Sequence, residues 1–485
     1  MQERFWQRIQ QGIARWEISL LPGGLAIALV VSVRWFGGMQ GLEWTMLDRV
    51  LRSRPEEGVD SRILIVGINE QDIQQMGTYP VPDRVLASAI QQLQRWKPAA
   101  IGVDIFRDQP VPLGATELNQ VFRTQKTVIG IEQQSAALGE FSVKPPPALP
   151  ETQVGFVDAA LDADGVLRRS LLYSEDVQGT VRPSLSVVLA ELYLAQKGVE
   201  IQQGIRDPDS IRVGAVELPR MQGRVGGYRH LDRGGLTSLI NVRSGRQPFR
   251  MVSLGDLTSG KVSPDWVKNS VVLIGITSPS GRDYVNSQAV ESVNPALVYG
   301  VEMQAHAVSQ LISAGESGRP FIQVWAVYWE YGWIVGWGVM GIVLGWVVRS
   351  PWKWLLGLGL GFGMILGLGY GAILGAWWIP VVPTVGVFLI NGAGLTAFYR
   401  YDQGYRSRLQ ERQWIIDETF NAIHNGPLQV LSLLRQHLKR TIVNCIKRFI
   451  NHPLSPQTPH TAPLIPDLAT KKSPAESGFA DSPKQ

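Results

Sequence analysis

The sequence predicts an α/β domain set among four apolar, membrane-length helices and followed by a short helical stalk. Three observations point there. Short continuous apolar runs (RILIVGI, AAIGVDIF, SVVLIGI), typical of buried strands, alternate with helical patterns between residues 42 and 318. Four stretches of about twenty mostly apolar residues flank that region. A charged helical pattern with an apolar stripe follows the last of them. The averages agree: 18% charged residues coexist with a mean hydropathy of +0.02, as in a chain divided between two solvents. The net charge of +5 includes no dense basic block, so no nucleic-acid partner is expected. Cys445 is the one cysteine, which excludes an intramolecular disulfide and a multi-cysteine metal site.

Residues 1–17 form an N-terminal tail, and 18–36 (ISLLPGGLAIALVVSVRWF) the first span. A cleaved signal peptide competes with this reading, but the stretch ends in Arg34-Trp35-Phe36 and not in a small-x-small cleavage site. Residues 325–348, 352–375 and 377–398 give three more spans, with Trp325, Trp329, Trp333, Trp352, Trp354, Trp377 and Trp378 near their ends. Glu330, near the outer edge of its span, is expected to reach water. Arg4, Arg8 and Arg15, then Arg349 and Lys353, then Arg400, Arg406, Arg408 and Arg412 all fall on the cytoplasmic side if residues 37–320 lie outside. Four spans in the lipid bilayer with both termini cytoplasmic satisfy that rule. GLGLGFGMILGLGYGAILG looks like a phosphate loop out of context but lacks a preceding strand and a lysine. Its Gly359, Gly363, Gly367, Gly371 and Gly375 recur every four residues and are expected to face a neighbouring helix, as are Gly332/Gly336 and Gly341/Gly345.

Between the spans, a strand at 62–68 precedes a helix at 83–96 whose Val85, Leu86, Ala89, Ile90, Leu93 and Trp96 share one face. Lys97-Pro98 stops that helix and a strand follows at 99–106. This strand–helix–strand unit predicts parallel pairing. Residues 154–173 read as a hairpin turning at Asp164-Gly165. Asp162 and Asp164 suggest calcium less than a turn, because the remaining loop ligands are missing. Pro183 to Gly198 reads as an amphipathic helix, 270–276 as a buried strand, and 300–312 as a helix with Val301, Ala305, Val308, Leu311 and Ile312 inward. His230 and His306 have no metal-ligand spacing, and Asp104 at a strand end is either a functional carboxylate or a hydrogen-bonded structural one. No cofactor or metal is expected.

ILIVGINEQDIQQMGTYPVPDRVLASAIQQLQRWKPAAIGVDIF, GFVDAALDADGVLRRSLL, INVRSGRQPFRMVSLGDLTSGKV with VVLIGIT, and YGVEMQAHAVSQLIS together resemble the CHASE type-two extracytoplasmic sensory domain, over about residues 42–318. The resemblance implies a receptor-like input domain in a bacterial inner (cell) membrane, attached to kinases or cyclases inside. Its ligands are largely undefined, so the extracytoplasmic ligand is unknown and no binding residues carry over.

Residues 399–440 suit a dimer stalk, with Leu409, Trp414/Ile415, Phe420, Ile423, Val430/Leu431 and Leu434 near helical spacing. Within them His424-Asn425-Gly426-Pro427-Leu428-Gln429 resembles the phosphoacceptor box of sensor histidine kinases, in the branch reading His-Asp-x-x-x-Gln. The resemblance makes His424 a phosphoacceptor whose imidazole attacks the γ-phosphate of ATP. The alternative is a solvent-facing histidine in a stalk kinked at Pro427. Asn425 replaces the usual acidic residue and cannot act as a base. Residues 441–485, rich in Pro, Ser, Thr and Lys, read as disordered and carry no ATP-binding motif. The abrupt change near Leu438 is expected to mark a truncation or frameshift. These features together describe a membrane-bound two-component sensor with a phosphoacceptor helix but no kinase activity of its own, working as a homodimer or as a heterodimer with an intact kinase. A non-enzymatic receptor that tunes intact kinases, and a remnant without output, are the other readings.

Overall fold

A computed structural model of the chain describes residues 21–134, 142–176, 178–231, 234–291, 297–348 and 350–451. It divides into two units, residues 1–401 and 402–485. Helix α1 (Leu21–Trp35) is followed, after a break and an 81° bend, by α2 (Gln40–Arg52). The domain then builds a sheet from β1 (Asp60–Ile68), β2 (Ala100–Asp104), β3 (Val128–Glu132), β4 (Val154–Phe156), β5 (Phe249–Ser253) and β6 (Val271–Ile276). These lie in the order β5-β1-β6-β2-β3-β4, every adjacent pair parallel.

The expected β1–helix–β2 unit is present, with α3 (Asp83–Arg95) as its helix. Its two strands do not pair, however, because β6 sits between them: Ile63 neighbours Val271, and Val271 neighbours Ala100. Strands covered on both faces need apolar residues at successive positions, and β1 from Ile63 on, β2 up to Val103 and all of β6 supply them. Ile63, Ile65, Val271 and Leu273 pack under α5 (Leu185–Ala195) and α6 (Gly300–Ser317). Leu64, Val66, Val272 and Ile274 pack under α3 and α4 (Ala115–Thr124, between β2 and β3). The result is a three-layer α/β/α sandwich with core on both sides of the sheet.

Two helices differ from expectation. α5 buries Leu185 through Ala190 without interruption, so it is a central core helix and not an amphipathic one. Its N-cap is Ser184, whose hydroxyl accepts from the Val187 amide. α6 buries the five expected residues and continues to Ser317 before stopping at Gly318, φ +68°.

Beyond the domain, α7 (Val327–Val347) and α8 (Pro351–Leu374) are each long and apolar enough to cross a membrane, and α1 with α2 makes a third as one bent pair. The fourth expected span, 377–398, is not a single α-helix. Trp377–Trp378 forms a short parallel ladder with Gln323–Val324, α9 (Val381–Leu389) starts only after Pro380, and Ile390–Leu395 is π-helical. Pro380 disfavours helical conformation at the residue before it.

The glycine ridge of α8 is also revised. A Cβ at Gly359, Gly363, Gly367 or Gly371 meets nothing within 4 Å, whereas one at Gly357, Gly361 or Gly369 comes within 2.6, 2.3 and 2.4 Å of Leu344, Phe388 and Val381. Helix contact therefore uses the adjacent stripe, set by the bulky residues of α7 and α9. On α7 the expectation holds at Gly341, where a Cβ meets the Phe388 carbonyl at 2.8 Å, and fails at Gly332 and Gly336, which are open; Gly338 is a further tight position. Trp333, Trp337 and Phe388 stack edge to face at 5.6 and 5.7 Å between α7 and α9.

α10 (Thr396–Ile450), most of which makes up the second unit, runs as one helix through Pro427 and ten residues past the expected end of the stalk at 440, into the stretch expected to be disordered. Ile442, Val443 and Ile446 extend its apolar positions, which the proline-rich composition further on had obscured.

Candidate functional site

A cluster of buried charge lies where the domain meets the membrane-length helices. Arg34, near the end of α1, is 6% exposed. Its Nη2 donates to Glu330 at 2.8 Å and to the Gly226 carbonyl at 2.9 Å, while Nε donates to both oxygens of Glu43 at 3.2–3.3 Å. One guanidinium thus joins α1, α2, the hairpin at 223–231 and α7. Glu330 is buried and does not reach water; Arg34 is its partner, and its Oε1 has none among the described residues. A carboxylate and a guanidinium at the same end of two apolar spans were the available sequence signal. Two carboxylates share one cation, so the cluster carries excess negative charge in a place that penalises it.

The hairpin fits because it has no side chains at its tip. A Cβ at Gly226 or Gly227 falls within 2.8–2.9 Å of Trp378, and at Gly227 within 3.0 Å of Glu43. Tyr228 then stacks between Trp44 and Trp378 at 5.2 and 5.9 Å.

About one turn further along α2, Asp48 receives Arg168 at 2.9–3.1 Å. The same guanidinium donates to Asp162 at 3.0 Å and to Asp164 at 2.7–2.8 Å. Arg169 and the Tyr228 hydroxyl complete Asp162 at 2.9 and 2.8 Å. The turn at Asp164-Gly165 forms and arginine occupies its carboxylates, but only Ala160–Leu161 pairs back, against Leu167 and Arg169; Val154–Phe156, expected in the same hairpin, joins the parallel sheet beside β3 instead. Among the described residues, no group of three His, Cys, Asp or Glu is arranged to hold a metal. α2 is therefore pinned by Glu43 toward the membrane-length helices and by Asp48 toward the domain.

A second feature is an open cavity of about 830 Å³ beside the edge strand β5. Ile65, Phe249 and Met251 line one side; Tyr284, Tyr299 and Glu302 line the other. That volume suits a small organic ligand. Burial pushes the Glu302 carboxyl up to about 7.

Asp104 ends β2 nearly buried, and neither it nor Asp283 accepts a side-chain hydrogen bond among the described residues. Burial first, and Asp283 second, push Asp104 up to about 8. Between the ordinary carboxylate range near pH 4 and pH 8, the folded state keeps a proton that the unfolded chain has released. Stability therefore falls as pH rises through that window and levels off above it. Asp104→Asn, which mimics the protonated acid, is expected to stabilise the domain at pH 8.5 by roughly 1–3 kcal/mol and to change it little at pH 5. Thermal unfolding at the two pH values checks this; an unchanged pH dependence in the variant refutes it.

His306 is fully buried, accepts from the Arg243 amide at 3.1 Å and stacks on Phe249; His230 is exposed. The two are not brought together as a site. His424 belongs to α10, and its side chain, with those of Asn425 and Pro427, lies outside the described residues.

The fold is thus a three-layer α/β domain held by buried charge against helices long and apolar enough to cross a membrane. The chain belongs to the CHASE2 domain family, which matches residues 25–343. CHASE2 domains are extracytoplasmic sensory input domains. The match begins within α1 and ends within α7, so Arg34, Glu43, Gly226 and Glu330 all lie inside it. No curated protein and no solved structure matches the chain.

Proposed function

We propose that the chain is a membrane-bound signal sensor of two-component type. The domain lies outside the cytoplasmic membrane of a bacterium and both termini lie inside. A small molecule enters the cavity beside β5, the domain shifts α2, and the Arg34–Glu43–Glu330 cluster passes that shift to α1 and α7. The observation that carries this reading is the cluster itself: buried charge fixing one short helix to two membrane-length helices is costly unless the connection is needed. α9 and its π-helical turn lead in sequence into α10, which carries His424.

Two copies of α10 pair as a parallel stalk. Leu409, Ile416, Val430 and Leu434 recur at multiples of seven or at four residues, and each is at least 44% exposed in the single chain. His424 then receives phosphate from an intact kinase paired with this chain. Incubating the membrane-embedded chain with candidate kinases and ATP is expected to give acid-labile label that His424→Ala abolishes. No label on the chain refutes the phosphoacceptor role and leaves the sensor reading standing.

Asn425 favours a second reading, because an amide beside His424 cannot take its proton. The chain then acts as a receptor that tunes intact kinases through the stalk alone. In that case His424→Ala keeps the effect on the partner kinase, whereas Val430→Asp, which breaks the stripe, removes it.

A further inference from the structure

A second cavity, of about 700 Å³, lies at the start of β1, where the domain meets the end of α8. Arg54, Arg62, Arg243 and Arg319 line it, and Ile373 and Leu374 supply an apolar wall. We propose that this cavity holds a phosphate group, carried by an anionic lipid headgroup or free in solution.

Four arginines stand against three lining carboxylates, Glu56, Glu57 and Asp60, and their pairing is uneven. Arg62 is neutralised by Asp60 at 2.7 Å and Glu316 at 2.9 Å. Arg243 reaches Asp60 only at 3.6 Å and otherwise donates to the carbonyls of Gly58 and Glu57. Arg54 touches no carboxylate: its nitrogens donate to the Leu51 and Val242 carbonyls and to Asn241 at 2.7 Å. Arg319 contacts Glu57 at 2.8 Å and shares Asn241 with Arg54, while its Nη1, buried, has no partner among the described residues. Arg54 and Arg319 are thus two guanidinium groups on one amide oxygen, with a single carboxylate between them. Four guanidinium groups around one cavity, two of them sharing a single carboxylate while the exposed Glu56 on the same wall pairs with none of them among the described residues, fit an anion with several acceptor oxygens.

The surrounding groups report the same field. Burial first, then Arg319, pull Arg54 down to about 10, and burial followed by Arg319, Arg54 and Arg243 pulls neighbouring His306 down to about 3. The apolar wall says where such an anion is found. Leu374, half exposed, ends α8, and Tyr370 one turn earlier donates to the Ser53 carbonyl at 3.2 Å beside Arg54. A lipid phosphate seated here lays its acyl chain along α8.

The test uses the full chain in nanodiscs of phosphatidylcholine, with or without phosphatidylglycerol, and separately with millimolar inorganic phosphate. Thermal unfolding is expected to shift upward by several degrees with phosphatidylglycerol. Arg319→Gln is expected to erase the shift, and so is Ser61→Glu, which puts a carboxylate at the exposed mouth of the cavity without touching the core. A shift with phosphatidylglycerol alone identifies the lipid headgroup, and an equal shift with inorganic phosphate identifies the free anion. No shift with either, or a shift that survives Ser61→Glu, overturns the proposal.

Discussion

Arg34→Met is expected to destabilise the junction by about 3–5 kcal/mol, the cost of leaving buried carboxylates without their cation. Glu43 and Glu330 are 2% and 1% exposed, and no other cation is paired with either among the described residues. Methionine fills the volume of the arginine stem, so the loss is electrostatic and not a cavity effect. For a unit of this size the unfolding temperature should drop by roughly 4–6 °C.

The reverse substitution should behave differently. Glu330→Gln leaves Arg34 with Glu43 in a one-to-one pair and removes the carboxylate whose Oε1 has no partner. Its cost is expected to stay below about 1 kcal/mol, within the range of a neutral hydrogen bond exchanged for a charged one. Measured together by thermal unfolding in nanodiscs, the two variants discriminate sharply. Equal losses would mean that the cluster is held by packing, and its charge would then carry no signal.

Much of this layout is legible in the sequence, but only the local part. The run RILIVGI announces a strand covered on both faces, and the alternation of Ile63 and Ile65 with Leu64 and Val66 between two cores agrees. The sheet order is not legible. β6 enters between β1 and β2 from more than 160 residues away, and nothing local to 271–276 records its neighbours. The glycine ridge fails for a related reason. A four-residue period on α8 fits two adjacent stripes, and the stripe that packs is chosen by Leu344, Phe388 and Val381 on other helices. Glu330 was misplaced because hydropathy gives depth in a span and says nothing of partners, and its partner Arg34 lies 296 residues earlier. The domain's identity was legible because long stretches of it keep family-like sequence in order.

Arg168→Met is the counterpart inside the domain, and its consequences should be distinguishable from those at Arg34. Arg168 holds Asp48, Asp162 and Asp164 and stacks over Trp44 at 5.0 Å. Asp164 is over a third exposed and rehydrates when freed, so it adds little. Asp162 keeps Arg169 and the Tyr228 hydroxyl. Asp48 alone is stranded, buried on α2 with no second cation among the described residues. One uncompensated buried carboxylate sets the loss at about 3 kcal/mol, and Asp48→Asn in the same background should recover most of it. Without its cation the buried Asp48 carboxylate should be relieved by taking a proton, so the defect should shrink as pH falls. Hydrogen exchange separates the two arginines: Arg168→Met should loosen the amides of 160–175 and α2, whereas Arg34→Met should loosen α2 and α7 and leave 160–175 protected. If both variants loosen the same amides, α2 is not a rod between two separate anchors, and the route from cavity to membrane must bypass it.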